Sequence, residues 1–299
     1  MKVLLTGGNG YIGSNLLRKL IYSNYQVDLI VRPQSNLSII ADLIKHCNVY
    51  RFKGNSLEMV KIFKESKPRV VIHLAAHSTY ENCYGNIKNL IKSNILFGTQ
   101  ILEAMSSTSV NYLINTGSYW QHQKNLSYHP NSLYAATKES FQNIISFYTK
   151  TFPIKSITLK LFETYGPYDF RKKILPSVIK AMKTKKKIIM SPGDQLLDIV
   201  YISDVVDAYT IAMDILTSEK KTNLDVNYFI SSKEQVRLKY FIEKFINIMN
   251  ENIDIDWGGK PYRSREIMSP LRDVPILPSW KPKINLDKGL GLIKRSILK

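Results

Sequence analysis

The 299-residue chain carries 42 Lys and Arg against 24 Asp and Glu, a formal net charge of +18, and 44% of its residues are hydrophobic. Its 14 Gly, 12 Pro and lack of any repeat period exclude collagen-like, coiled-coil and low-complexity classes. No apolar stretch reaches the roughly 20 residues of a membrane span, and Val3-Leu4-Leu5 is cut off by Gly7, Gly8 and Gly10, too short for a signal-peptide core. A soluble, cytoplasmic protein with no membrane insertion is expected.

The positive charge is mostly dispersed lysine, since only ten of the 42 basic residues are Arg. That pattern marks a solvated surface more than a nucleic-acid reading head, and no nucleic-acid partner is expected. Cys47 and Cys83 are isolated and form no zinc or disulfide pattern.

In chain order, Val3–Leu5 reads as a strand, followed by a glycine turn and then by Ile12, Leu16, Leu17, Leu20 and Ile21 at helical spacing. Val27–Val31 reads as a strand, Met59–Lys64 as a helix, Val70–Leu74 as a buried strand, Asn86–Met105 as one long helix and Tyr112–Ile114 as a strand. A helix from Tyr134 through Phe147 and a strand Ile157–Phe162 complete the series. Strands apolar on both faces and alternating with helices imply a doubly wound parallel α/β sheet of Rossmann type. From about residue 163 proline becomes frequent, and helices such as Leu238–Met249 stand between irregular stretches. The expected division is a dinucleotide-binding domain over 1–163, with 198–212 returning to it, and a smaller mixed α/β substrate domain over 164–299.

Gly7, Gly10, Tyr11, Ile12 and Gly13 lie in the turn between the first strand and first helix. Glycines there let the backbone turn sharply and let a pyrophosphate approach the helix N-terminus, where the macrodipole favours anions. The second strand ends without an acidic residue for a ribose 2′-hydroxyl. Arg32 follows it, with Ser35 and Asn36 close by, a set suited to a 2′-phosphate, so NADPH is the expected cofactor. Asp28 lies earlier in that strand and reads as structural. Tyr134 and Lys138 are one helical turn apart, so phenol and ammonium share a face, and the cation is expected to lower the phenol pKa. His73 and His77 have metal-like spacing but no accompanying helix-borne glutamate, and no metal is expected. Lys183, Lys185, Lys186 and Lys187 read as a solvated helix end.

The glycine motif, His73-Leu74-Ala75-Ala76, Asn94, Thr116, the Tyr134/Lys138 pair, Leu161-Phe162-Glu163-Thr164-Tyr165-Gly166-Pro167 and Tyr201-Ile202-Ser203-Asp204-Val205 stand in one order. Together they resemble the extended short-chain dehydrogenase/reductases of the NAD-dependent epimerase/dehydratase family, across nearly the whole chain. The resemblance implies that Thr116 is the catalytic hydroxyl, Tyr134 the acid/base and Lys138 its partner at the nicotinamide ribose. It also places Asn55 near the adenine, Leu74, Ala75 and Ala76 along the cofactor, and a homodimer as the assembly. The 4,6-dehydratases of the family carry Asp-Glu just after the catalytic Thr, whereas this chain has Gly117-Ser118. A ketoreductase is therefore expected.

The segments Thr116–His122, Leu133–Lys138 and Leu161–Pro167 are most similar to those of the 4-keto-sugar reductases that make 3,6-dideoxyhexoses, the CDP-abequose synthases among them. That likeness implies NADPH reduction of CDP-4-dehydro-3,6-dideoxy-D-glucose for lipopolysaccharide O-antigen. A CDP-paratose-forming enzyme, a dTDP-4-keto-6-deoxysugar reductase and a nucleotide-sugar epimerase remain open alternatives, as does a Rossmann-fold RNA-binding or regulatory protein. The nucleotide-diphosphate sugar is expected to meet Ser118, Trp120, His122 and Glu163. Arg263 and Arg265 are candidates for its diphosphate, because Leu197 stands where the family often has Arg.

Overall fold

Val3, Leu4 and Leu5 are all fully buried, yet they serve two cores, because successive side chains of a strand point to opposite faces. In the computed structural model, which describes residues 1–79, 84–221 and 223–298, Val3 and Leu5 pack into one hydrophobic layer and Leu4 into the other. Burial on both faces is the usual condition of an all-parallel sheet.

The first half of the chain alternates β1 (Lys2–Thr6), α1 (Tyr11–Tyr22), β2 (Gln26–Val31), β3 (Cys47–Arg51), α2 (Ser56–Ser66), β4 (Val70–His73), α3 (Tyr84–Ile91), α4 (Phe97–Thr108), β5 (Tyr112–Ser118), α5 (Leu133–Thr151) and β6 (Lys155–Leu161). It continues through β7 (Glu163–Tyr165), α6 (Ile174–Thr184), β8 (Ile188–Met190), β9 (Leu196–Tyr201), α7 (Ile202–Ser218) and β10 (Leu224–Ile230). The last elements are β11 (Gln235–Arg237), α8 (Leu238–Met249), β12 (Ile255–Trp257) and α9 (Leu286–Ile297). The large sheet has seven strands in the order β3-β2-β1-β4-β5-β6-β10, all paired in parallel. Helices α1 and α7 cover one face and α2, α4 and α5 the other, the doubly wound Rossmann arrangement. The chain reverses its direction of winding between β1 and β4, which opens a crevice at the carboxyl ends of the strands.

The expected single helix over 86–105 is interrupted. Between α3 and α4 the chain makes a π-helical turn over Lys92–Leu96. Within that turn lies the buried Asn94, which accepts from His77 N at 2.8 Å and donates to His77 O at 3.0 Å and Thr137 Oγ1 at 2.9 Å. A widened turn thus clamps the loop after β4 to α5.

Beyond β6 the strands are short. β9 pairs in parallel with β7 and antiparallel with β11, and β12 pairs with β8. Residues 198–201 therefore run in the small sheet, while α7 from Ile202 lies beside α1 on the large sheet and β10 extends its β6 edge. Asp204 straps the C-terminal segment to this layer: its Oδ2 accepts from Lys283 N at 3.0 Å and Ile284 N at 2.9 Å, and its carbonyl accepts from Trp280 Nε1 at 2.8 Å. Cys47, at the start of β3, is a free, half-buried thiol, and Cys83 lies outside the described residues. No helix among the described residues is long and apolar enough to cross a membrane.

Gly13 leaves no room for a side chain at the first turn, where a Cβ would fall onto the Gly7 carbonyl oxygen. Gly13→Ala is expected to lower stability by ~1–3 kcal/mol, because the turn must move to admit the methyl. At Gly291 in α9 a methyl group would project into open space, with nothing within 4 Å, so Gly291→Ala should raise stability by ~0.5–1 kcal/mol through helix propensity. Urea denaturation of the two variants measures both signs.

Candidate active site

The crevice is built first from backbone. Gly7 takes a left-handed φ of 73°, and a Cβ there would meet Ala75 N at 2.7 Å, so the β1 turn and the loop after β4 touch main chain to main chain. Gly10 N donates to Gly7 O at 2.9 Å and begins α1 without a side-chain cap. The first amides of α1 are thereby left for an anion at the positive end of the helix dipole. Leu74 and Ala76 form the facing wall. Behind them Thr6 Oγ1 lies 2.8 Å from His73 Nδ1 and accepts from Ala75 N at 3.2 Å. Burial, then the charge of Lys138, pull His73 down to about 3, so it is a neutral structural group.

The Thr, Tyr and Lys singled out in the sequence come from β5 and α5. Ser132 caps α5 by accepting from Ala135 N at 3.3 Å, which sets Tyr134 in the first turn and Lys138 one turn on. Lys138 Nζ donates to the Thr116 carbonyl at 2.8 Å, and Thr116 Oγ1 lies 2.8 Å from Tyr209 Oη of α7. Thr116, Tyr134 and Lys138 line one cavity of about 230 Å³ together with Gly7, Gly10 and Gly13. Burial pulls Lys138 down to about 8. Tyr134 is pushed up to about 12, by burial first; a hydrogen bond to Ser78 works downward and Glu163 upward. The expectation of a lowered phenol pKa is not met, because desolvation dominates and the Lys138 ammonium is turned to the Thr116 carbonyl.

The other end of the cavity is charged and aromatic. Ser118 caps the turn Tyr119–Gln121, accepting from Trp120 N at 3.3 Å, and Trp120 packs edge-on to Tyr134 with ring centres 5.7 Å apart. Glu163 pairs with Lys173 at 2.9 Å, and Lys173 Nζ stands 5.0 Å from the Trp120 ring centre. Burial alone would raise the Glu163 carboxyl, but the Lys173 ammonium overrides it and holds the group below the usual carboxylate range. Arg171 stacks on Tyr11, 4.5 Å from its ring centre, and pairs with Asp169.

The family model of the NAD dependent epimerase/dehydratase family matches residues 3–227. The chain belongs to this family. It is 30% identical to a CDP-abequose synthase of Yersinia pseudotuberculosis, over 90% of this chain and 92% of that one. It is 28% identical to a CDP-abequose synthase of Salmonella muenchen, over 97% of this chain and 95% of that one. Among solved structures it shares the fold of UDP-glucuronic acid 4-epimerase from Bacillus cereus in complex with UDP-glucuronic acid and NAD, with TM-score 0.86 and 24% identity over 100% of this chain and 99% of that chain.

Not every residue singled out in this family member reaches the cavity. The glycine-turn residues, Leu74, Ala76, Thr116, Ser118, Trp120, Tyr134, Lys138 and Glu163 line it. Ala75 stands just behind, against Gly7. Arg32 is exposed past the end of β2, where its backbone N–H donates to Ser35 Oγ at 3.1 Å, and Asn55 caps α2 by accepting from Leu57 N at 2.8 Å. His122 is buried away from the cavity, with Nε2 2.6 Å from Lys160 Nζ and Nδ1 3.0 Å from Ser127 O. Both ring nitrogens are thus engaged by protein groups. Arg263 and Arg265 are exposed and outside the cavity lining, and Arg265 donates to Pro130 O at 2.7 Å. Sequence reasoning missed Ser78, Tyr119, Arg171, Lys173 and Tyr209. Arg171 and Lys173 follow the Gly166-Pro167 pair closely enough to have been found by position, whereas nothing local marks Tyr209.

Because the folded pKa of Lys138 is below the ordinary lysine value, the folded chain binds fewer protons than the unfolded one above about pH 8, and stability rises with pH there. Below that value the buried ammonium costs the fold on the order of 3 kcal/mol. Lys138→Met is expected to stabilise the ligand-free protein at pH 7 by roughly 1–3 kcal/mol, after loss of one hydrogen bond, and to flatten the rise between pH 8 and 10. Thermal unfolding across that range reads both effects.

Proposed function

We propose that this chain is an NADPH-dependent reductase of the C4 ketone of a nucleotide-linked 4-keto-deoxyhexose, converting CDP-4-dehydro-3,6-dideoxy-D-glucose to CDP-abequose for lipopolysaccharide O-antigen. The observation that carries this reading is the single cavity in which Thr116, Tyr134 and Lys138 meet the uncapped N-terminus of α1, with Gly117 and Ser118 following Thr116. The first gathers a hydroxyl, a phenol and an ammonium beside a dinucleotide-type turn, and the second lacks the acidic pair of a dehydratase. The near-full-length likeness to CDP-abequose synthases supports the choice of substrate.

The residues fit a dinucleotide. The side chains absent at Gly7 and Gly13 leave main chain facing main chain, and the α1 amides offer donors to a pyrophosphate. Arg32 and Ser35, past the end of β2, supply a cation and a hydroxyl for a 2′-phosphate, which favours NADPH. When bound, the reduced dinucleotide supplies a hydride.

Tyr134 gives its phenolic proton to the sugar O4 as negative charge develops there. A raised pKa suits that direction, since a phenol near 12 is fully protonated at neutral pH and ready to act as the acid. Thr116 hydrogen-bonds the same oxygen, so two donors aimed at one atom stabilise the developing alkoxide. Lys138, on the same face of α5 as Tyr134, would hold the ribose hydroxyls of the dinucleotide and there regain part of the solvation its ammonium lost on burial. Glu163 and Lys173 orient the sugar at the far end of the cavity, with Trp120 as its apolar wall.

Tyr134→Phe is expected to abolish turnover while leaving NADPH affinity within about twofold, since one general acid contributes about 10²–10⁴-fold. Stopped-flow NADPH oxidation with CDP-4-keto-3,6-dideoxyhexose, together with fluorescence titration of NADPH, checks the pair. NMR of the product distinguishes abequose from paratose, and a preference for NADH over NADPH in kcat/KM would sink the role of Arg32.

A further inference from the structure

Thr116 faces two ways. It lines the cavity, and its Oγ1 lies 2.8 Å from the phenol of Tyr209 on α7. Tyr209 is fully buried, does not line the cavity, and has Thr116 as the hydrogen-bond partner of its hydroxyl among the described residues.

A threonine hydroxyl has one proton and two lone pairs, and a phenol likewise has one proton to place. If Thr116 donates to Tyr209, the phenolic proton is left in the core without an acceptor, and Thr116 turns only lone pairs toward the cavity. If Tyr209 donates to Thr116, the phenol is satisfied and the Thr116 proton is free to point into the cavity. Buried donors without acceptors are rare because leaving one unmade is costly, so the second arrangement prevails. Burial also raises the Tyr209 phenol, which keeps its proton in place at neutral pH.

We propose that Tyr209 is a positioning residue: by donating to Thr116 Oγ1 it commits the Thr116 proton to the carbonyl oxygen being reduced. This rests on the reductase reading above. Tyr209 does not touch the substrate. It sets the polarity of the hydroxyl that does, so that Thr116 meets the developing negative charge as a donor from the outset, without reorganising during the reaction.

The test is Tyr209→Phe, which keeps the ring and removes only the hydroxyl. The expected result is a kcat lowered about 10- to 100-fold, with KM for the nucleotide sugar and Kd for NADPH within about twofold, because the interaction matters in the transition state. In a Thr116→Ala background the same substitution should change kcat by less than about twofold, since no hydroxyl remains to orient. A wild-type kcat in Y209F, or a full loss that persists in the T116A background, overturns the proposal. Neutron diffraction of the deuterated wild-type protein reads the bond without any assay. Deuterium on Tyr209 Oη aimed at Thr116 supports the assignment even if the sugar substrate is wrong, and deuterium on Thr116 aimed at Tyr209 overturns it.

Discussion

A buried ammonium ties strand β5 to helix α5. Lys138 Nζ reaches 2.8 Å to the Thr116 carbonyl, so β5 and α5 are joined where both line the cavity. Burying that charge is unfavourable, and burial pulls its pKa down to about 8. The strain has a use. A ligand that brings oxygens to the ammonium recovers the solvation lost on folding, so the energy withheld from stability becomes available for binding.

The rest of the crevice is arranged to keep that pair in place. The Gly7 turn presses on Ala75, Thr6 bonds to His73 and Ala75, and Asn94 clamps His77 to Thr137. These hydrogen bonds form a polar layer beneath the strand ends, where a purely apolar core would not define the positions of individual hydroxyls. At the opposite end, Glu163 and Lys173 hold each other charged beside Trp120, giving the cavity polar groups of both signs. The overall charge of +18 suits polyanionic ligands by raising encounter rates at low ionic strength, with local recognition left to these few side chains.

Much of the fold is legible in the chain because its periodicities are strong. Val70–Ile72 is buried on both faces, and the stripe Ile12, Leu16, Leu17 and Leu20 matches one side of α1. β3 escapes notice because it is an edge strand with a mixed pattern, and β7, β8, β11 and β12 are only three residues each, too short for a period to emerge. The π turn at Asn94 leaves the helical composition intact, so it is invisible until Asn94 has something to bind. In the site, the glycine turn and the Tyr134/Lys138 spacing are local patterns that determine their own geometry. His122 looks equally well placed in sequence, three positions past Tyr119, yet Lys160 from the neighbouring strand draws it into the interior.

The sequence by itself determined the doubly wound parallel sheet, the glycine turn and the Thr116, Tyr134 and Lys138 set, because each follows from local chain stereochemistry or from burial averaged over a strand. Only the tertiary structure decided which charges face the cavity and which side chains lie behind it. Glu163 meets Lys173 across ten residues and Thr116 meets Tyr209 across 93, and such pairings are set by how separate elements pack. The direction of the Tyr134 shift was decided there too, since desolvation depends on everything that surrounds a group and no spacing along the chain encodes it.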